Sequence, residues 1–186
     1  FIHFSSDYVF NGLFNKAYKE NDIKKPLNEY GKSKSNGEEF IIKSVNKNFL
    51  ILRISWLYSK FNNNFPKKII QSLKNKKKIK VIFNENGVPT SSKFVIKNLL
   101  KILLILNKKK ISGIYHLCPN GRTSRYDFAK LIVKKHHING EIIKNLNSIK
   151  PKVRRPKSTI LSSVKIQKKL NTNFLNWKDY YKNEML

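Results

Sequence analysis

The chain predicts an α/β fold with parallel strands, and three features support that reading. Four short runs rich in β-branched and aromatic residues, Phe1 to Ser5, Phe49 to Ser55, Ile79 to Phe83 and Ile111 to Cys118, each have the length of one strand. The segments between the first three carry helical apolar spacing, and strands that alternate with helices form parallel sheets. Finally, 186 residues with 40% hydrophobic and 12% aromatic content can bury one substantial core, which places the chain among globular proteins.

The elements follow in order. The first helix holds Tyr30 and Lys34 one turn apart. At ~100° per residue, Tyr30, Lys34, Gly37, Ile41 and Val45 share an arc, while Lys32, Ser35, Asn36, Glu39 and Lys43 fall on the opposite face. Lys34 thereby lies on the stripe expected to face the protein, where a lysine is costly without a task or a partner. The second helix begins near Asn64 and fades in Lys74 to Lys78. Ser91 or Ser92 caps a third, with Val95, Leu99, Ile102 and Leu106 on its apolar face. A fourth starts at Thr123 or Ser124, carries Asp127 in its first turn and continues through Phe128, Leu131 and Ile132 to Lys135. Past Gly140 the pattern weakens. A short apolar run from Glu141 to Leu146, then Pro151 and Pro156, predicts an irregular lobe closed by a helix around Ser162 to Leu170 and another near Trp177. There is no internal repeat and no low-complexity linker.

The formal net charge of +28 raises nucleic acid or an anionic membrane as partners. The lysines are scattered through helix faces, loops and ends, as in Lys74 to Lys80 and Lys108 to Lys110, and accompany an excess of Asn and Ile. That distribution reads as solvated surface in a compositionally biased chain, with a functional basic patch as the alternative. Such a charge also favours recruitment of an anionic small molecule. Neither a helix-turn-helix, a finger nor an RNA-binding signature is present. Cys118 is the single cysteine, so a disulfide within the chain is excluded and a reducing, cytoplasmic setting is expected. The longest apolar stretch, Leu99 to Leu106, is interrupted by Lys101 and falls short of the ~20 residues a membrane span needs. His3 and His116 sit in apolar strands and read as packed rather than catalytic; His136 and His137 close a helix. No metal-ligand spacing stands out.

The chemistry lies in two segments. Ser5-Ser6-Asp7-Tyr8-Val9-Phe10 follows the first strand, and Tyr30-Gly31-Lys32-Ser33-Lys34 opens the first helix. Together they supply a hydroxyl, a phenol and an ammonium, a set able to protonate a carbonyl oxygen. Ser5 and Ser6 lie where a parallel strand ends, the edge at which open α/β sheets bind ligands. Asp7 and Tyr8 are expected to brace the turn. With Gly37-Glu38 behind the Tyr-x-x-x-Lys pair, the combination resembles the extended short-chain dehydrogenase/reductase superfamily and, within it, the dTDP-4-dehydrorhamnose reductases. The likeness continues through Leu52-Arg53-Ile54-Ser55-Trp56-Leu57-Tyr58, Asn63-Asn64-Phe65, Gly87-Val88-Pro89-Thr90, Gly113-Ile114-Tyr115-His116-Leu117, Thr123-Ser124-Arg125-Tyr126-Asp127-Phe128-Ala129 and Arg154-Arg155-Pro156. The order and spacing of these blocks carry it, not any one of them.

The resemblance implies the C-terminal part of a Rossmann-like doubly wound parallel sheet with a smaller substrate-binding lobe, residues 1–186 forming one incomplete NAD(P)-binding reductase domain. It implies reduction of the 4-keto group of dTDP-4-dehydro-β-L-rhamnose to dTDP-L-rhamnose, with NADPH or NADH as cofactor. Ser6, Tyr30 and Lys34 would be catalytic. Tyr30 would protonate the keto oxygen, Lys34 would support the phenolate and hold the cofactor ribose, and Ser6 would bond the keto oxygen. Ser5, Arg53 and Ile54 would join Tyr30 and Lys34 at the cofactor, Arg53 and Ile54 mainly through backbone. Substrate contacts would come from Ser6, Trp56, Asn64, Thr90, Arg154 and Arg155. Trp56 offers the sugar a flat wall and one donor, or else fills the core. Arg154 and Arg155 suit a diphosphate, or else add surface charge. The implied partner is the dTDP-sugar, without nucleic acid or membrane; a homodimer stays open.

The family's first strand and Gly-rich phosphate loop are absent from the sequence, so about one hundred further residues opening with strand, Gly-x-x-Gly-x-x-Gly and helix are expected before Phe1. Arg125 stands where the family commonly has tryptophan, Glu85 where glutamine is usual and Ser59 where glycine is usual. Two other readings share the fold: a non-catalytic homologue such as the regulatory subunit of methionine adenosyltransferase, and another nucleotide-sugar reductase or epimerase.

Overall fold

In chain order the elements are β1 (Ile2–Ser6), α1 (Glu29–Ser44), β2 (Leu50–Ile54), β3 (Leu57–Tyr58), α2 (Phe65–Asn75), β4 (Lys78–Ile82), β5 (Asn86–Gly87), β6 (Thr90–Ser91), α3 (Ser92–Leu106), β7 (Gly113–His116), β8 (Thr123–Ser124), α4 (Arg125–Lys135), β9 (Glu141–Asn145), α5 (Val164–Lys169) and α6 (Trp177–Asn183), with a 3-10 turn at Asp7–Val9. This computed structural model describes residues 1–14, 16–45, 48–61, 63–106, 111–145 and 153–183. The Lys108 to Lys110 run, Leu146 and Pro151, all noted in the sequence, lie outside the described residues.

A parallel sheet of order β1-β2-β7 forms the base of the molecule. Its central strand β2 is buried at all five positions, as expected where both faces of a parallel sheet are covered. The register pairs Ser6 with Ile54 and Arg53 with His116, which brings the C-terminal ends of the three strands to one edge. Leu50, Leu52 and Ile54 pack with Phe94, Val95 and Ile102 of α3 and with Ile166 of α5. A second core, under the lobe, collects Tyr58, Ile69, Leu73, Val81, Phe128, Ile132, Trp177 and Tyr181.

Two features add to or change the sequence reading. β4 does not join the main sheet; it pairs in parallel with β9, from Lys78 opposite Glu141 to Ile82 opposite Asn145. Of its five residues only Val81 is buried, and Lys78 and Lys80 are exposed. A strand with lysines on alternate positions has one dry face and cannot occupy a sheet covered on both sides. The run from Glu141, expected to be irregular, supplies the partner strand.

The buried face of α1 is also rotated. Gly31, Ser35, Glu38 and Ile41 face inward, so Ser35, expected on the solvent side, is buried. Two interactions set the rotation. At Gly31 a Cβ would collide with the Tyr8 carbonyl oxygen, so only glycine lets the helix settle against the turn after β1. Deeper in, Glu38 meets Arg53 in a bidentate pair, with Nε to Oε1 at 2.8 Å and Nη2 to Oε2 at 2.7 Å. Ser5 Oγ donates to Glu38 Oε1 at 2.5 Å, and Arg53 Nη1 donates to the Glu20 carbonyl at 3.1 Å. Burial alone would raise the Glu38 carboxyl, but hydrogen bonds and charge from Arg53, with help from Ser5 and Lys24, outweigh it and hold the group below the usual carboxylate range. The end of β1 is thus pinned from below by a buried ion pair.

Candidate active site

The strand edge created by this register opens into a cavity of about 600 Å³. Ser5 and Ser6 reach it from the end of β1, Tyr30 and Lys34 from the first turns of α1, and Ile54 and Trp56 from the end of β2 and the residues after it. Val95, Ile96 and Leu99 of α3 form an apolar wall. Asn28 caps α1, its Oδ1 accepting from Gly31 N at 2.9 Å, and this holds the first turn over the site. Tyr30 is 53% exposed and meets Tyr8 edge-on, with ring centroids 5.8 Å apart. Lys34 is half-buried, and its Nζ donates to the Phe4 carbonyl at 3.2 Å. Among the described residues nothing else accepts a hydrogen bond from it, which leaves two of its three ammonium donors for a ligand.

Ser6 belongs to a hydroxyl ring around Asp7. Its Oγ donates to Asp7 Oδ1 at 3.0 Å and accepts from Tyr8 N at 3.2 Å. Ser55 and Thr159 donate to Asp7 Oδ2 at 3.0 and 2.6 Å. Burial raises the Asp7 carboxyl above its ordinary value, and the three hydroxyl bonds pull the other way. Asp7 therefore joins the turn after β1, β2 and the C-terminal lobe at one point, the bracing role expected for it.

Trp56 has a positive φ of 43°, a left-handed conformation that costs a bulky residue energy and collects at functional sites. Its indole lies against Gly87, where any Cβ would overlap the ring. On the ring rests the guanidinium of Arg125, 3.6 Å from the centroid. Arg125 Nε lies 3.7 Å from Glu85 Oε2, and Arg125 N donates to the Glu85 carbonyl at 3.0 Å. Burial lowers the Arg125 pKa, with Glu85 opposing.

A second cavity of about 420 Å³ adjoins the first. Phe65 and Ile69 of α2, Val81 of β4 and the cations Lys68, Lys80 and Arg155 line it, and Arg125 borders both spaces.

The structure therefore brings Ser5, Ser6, Tyr30, Lys34, Ile54 and Trp56 to one cavity and Arg155 to the next. Arg53 is 1% exposed, with its side chain committed to Glu38. Thr90 is fully buried, its Oγ1 donating to the Val88 carbonyl at 3.2 Å. Asn64 caps α2, accepting from Lys67 N at 3.3 Å, while its amide donates to the Ser59 carbonyl at 2.7 Å. Arg154 is exposed and receives a bond from Asn28 Nδ2 at its carbonyl, 2.9 Å long. None of these four lines either cavity. Sequence reasoning missed Arg125 and Glu38 as site-building residues. The one signal for Arg125 was its departure from the family's tryptophan, accompanied by a departure of opposite charge at Glu85.

Among the described residues no group of three or more His, Cys, Asp or Glu side chains is arranged to hold a metal ion, and no helix is long and apolar enough to cross a membrane.

Comparison with known proteins gives this geometry its context. A dTDP-4-dehydrorhamnose reductase of Sinorhizobium fredii is 32% identical over 186 residues, covering 96% of this chain and 62% of that protein. The crystal structure of a dTDP-4-dehydrorhamnose reductase from Clostridium acetobutylicum superposes with a TM-score of 0.87 at 31% identity, covering 97% of this chain and 63% of that one. The corresponding enzyme from Bacillus anthracis, crystallised in complex with NADP, superposes with a TM-score of 0.83 at 29% identity over 96% of this chain and 62% of that one. The chain thus spans less than two thirds of the length of these relatives. The family model of the RmlD substrate binding domain matches residues 1–185, and with that match and those likenesses this chain belongs to the RmlD substrate binding domain family.

Proposed function

We propose that this chain carries the proton-donating site and the substrate lobe, within one domain, of a cytoplasmic reductase that converts the 4-keto group of dTDP-4-dehydro-β-L-rhamnose to the alcohol of dTDP-L-rhamnose. The observation that carries the reading is the convergence of Ser6, Tyr30 and Lys34 on one cavity beside Trp56. The names of the relatives supply the substrate class.

The residues at this edge fit the nicotinamide and ribose end of a cofactor, NADPH or NADH. Lys34 keeps two ammonium donors for ribose hydroxyls, and Ile54 offers an apolar contact beside Ser5. A bound nicotinamide supplies the hydride that the sugar C4 accepts. Tyr30 gives its phenolic proton to the carbonyl oxygen, so one C–H and one O–H bond form as the C=O π bond breaks. Lys34 stabilises the negative charge left on the phenol oxygen. Ser6 donates to the same carbonyl oxygen after its hydroxyl turns from Asp7 Oδ1; Asp7 keeps its bonds from Ser55 and Thr159. Val95, Ile96 and Leu99 of α3 and the Trp56 indole form the apolar wall of the site. Two adjoining cavities, one with the proton donors and one lined by cations, suit a ligand with a sugar at one end and a nucleotide at the other.

The test is Tyr30→Phe in the full-length protein. Among the described residues none bonds the exposed phenol hydroxyl, so folding and ligand binding should persist. Turnover of the keto sugar should fall by ~10²- to 10⁴-fold, the usual contribution of a general acid. Wild-type rates in that variant would refute the assignment. Product analysis separates reduction from epimerisation, and a wild-type protein that binds cofactor but turns over no keto sugar would favour a non-catalytic homologue.

A further inference from the structure

We propose that Arg125 is a substrate-binding residue that contacts the diphosphate of the nucleotide sugar and selects for it. The inference rests on the nucleotide-sugar reading above.

Arg125 is held where a cation is locally unfavourable. It is the first residue of α4, after the cap formed by Ser124 Oγ accepting from Asp127 N at 2.9 Å, and a positive charge there opposes the helix dipole. Its side chain is 16% exposed, so most of its hydration is lost. In return it has the Trp56 and Phe65 rings, 3.6 and 4.9 Å from their centroids, and Glu85 at 3.7 Å, beyond hydrogen-bonding distance. Among the described residues no side chain or carbonyl accepts a hydrogen bond from the guanidinium. The guanidinium nitrogens are not among the buried polar atoms that lack a partner, so they open onto the cavities with their donors available to a ligand.

Its place determines which ligand does so. Arg125 borders both cavities. A nucleotide sugar with its hexose beside Tyr30 and its nucleoside between α2 and β4 must pass its diphosphate through that junction. The planar fork of Arg125, pre-oriented by stacking on Trp56, matches two phosphate oxygens. Arg155, Lys68 and Lys80 of the second cavity add to the field that draws the anion in. Glu85 keeps the guanidinium paired with charge until the diphosphate arrives, and so weakens binding while it specifies the position.

Isothermal titration of the full chain with dTDP and with thymidine separates phosphate recognition from base recognition. Arg125→Gln should weaken dTDP binding by about 10- to 100-fold, the range for losing a buried charge-assisted hydrogen bond, with thymidine affinity changed by less than about twofold. Arg125→Lys should recover part of the loss. Glu85→Gln leaves the stacked arginine in place and should tighten dTDP binding. If dTDP and thymidine weaken equally in Arg125→Gln, or dTDP is unaffected, Arg125 is a packing residue for Trp56 and the proposal falls while the reductase reading stands. Should Arg125→Gln fail to fold, Glu85→Gln decides, and unchanged or weaker dTDP binding in it overturns the proposal. A wild-type chain that binds neither compound removes both.

Discussion

Acid should destabilise this protein as pH falls below about 6.5, because His116 is buried neutral. The imidazole is fully buried on β7. Burial first, and then the Arg53 guanidinium, 3.4 Å from His116 Nε2, with a further contribution from Lys165, lower its pKa from 6.5 to about 3. Glu20 sits on the same side, but its carboxylate accepts from the His116 backbone N–H at 3.0 Å. A group whose pKa is depressed by folding adds stability above its unfolded pKa and loses it as pH falls toward the folded value. Between pH 8 and pH 5 the unfolded imidazole takes up its proton and the folded one does not, which costs about 2 kcal/mol by linkage. The full loss, reached near the folded pKa, approaches ~5 kcal/mol at 1.36 kcal/mol per unit. Urea unfolding of wild type and His116→Gln at both pH values measures it. Glutamine keeps an acceptor near Arg53 and cannot titrate, and His3, His136 and the raised Asp7 carboxyl titrate in both proteins and cancel. Wild type should lose ~2 kcal/mol more than the variant between pH 8 and pH 5. Equal losses in the two proteins would refute the buried neutral imidazole.

Two further predictions follow from the ion pair and the second cavity. Glu38→Gln strands the Arg53 guanidinium and should cost about 3–5 kcal/mol, the range for breaking a buried pair, read as a lower urea midpoint with an unchanged slope; loss of less than 1 kcal/mol would mean that water reaches Arg53. Arg155→Ala should raise KM for the dTDP-sugar and leave cofactor affinity unchanged, whereas Arg154→Ala should change neither; equal effects of the two would return both to general surface charge.

Local rules made much of the molecule legible. The capping residues Ser91, Ser124 and Asn28 lie within a few positions of the N–H groups they satisfy, so helix starts can be read along the chain. β2 reads as a strand because an apolar run of its length fits one sheet crossing. The serine at the end of β1 and the Tyr-x-x-x-Lys spacing of α1 likewise mark candidates for one sheet edge before any coordinates are known. The β4–β9 pairing was less legible, since alternating lysine and isoleucine marks a one-faced strand without naming its partner.

By itself, then, the sequence determined the alternation of strands and helices, their caps and the set of candidate proton donors, because these depend on period and on neighbours a few residues away. The tertiary structure alone decided the rotation of α1, the commitment of Arg53 to Glu38 and the position of Arg125 between two cavities. Those contacts join residues far apart in the chain, 15 positions for Arg53 and Glu38 and 152 for Asp7 and Thr159. Such pairs form only where packing brings opposite charges or hydroxyls out of water together, and no local pattern in the sequence records that meeting.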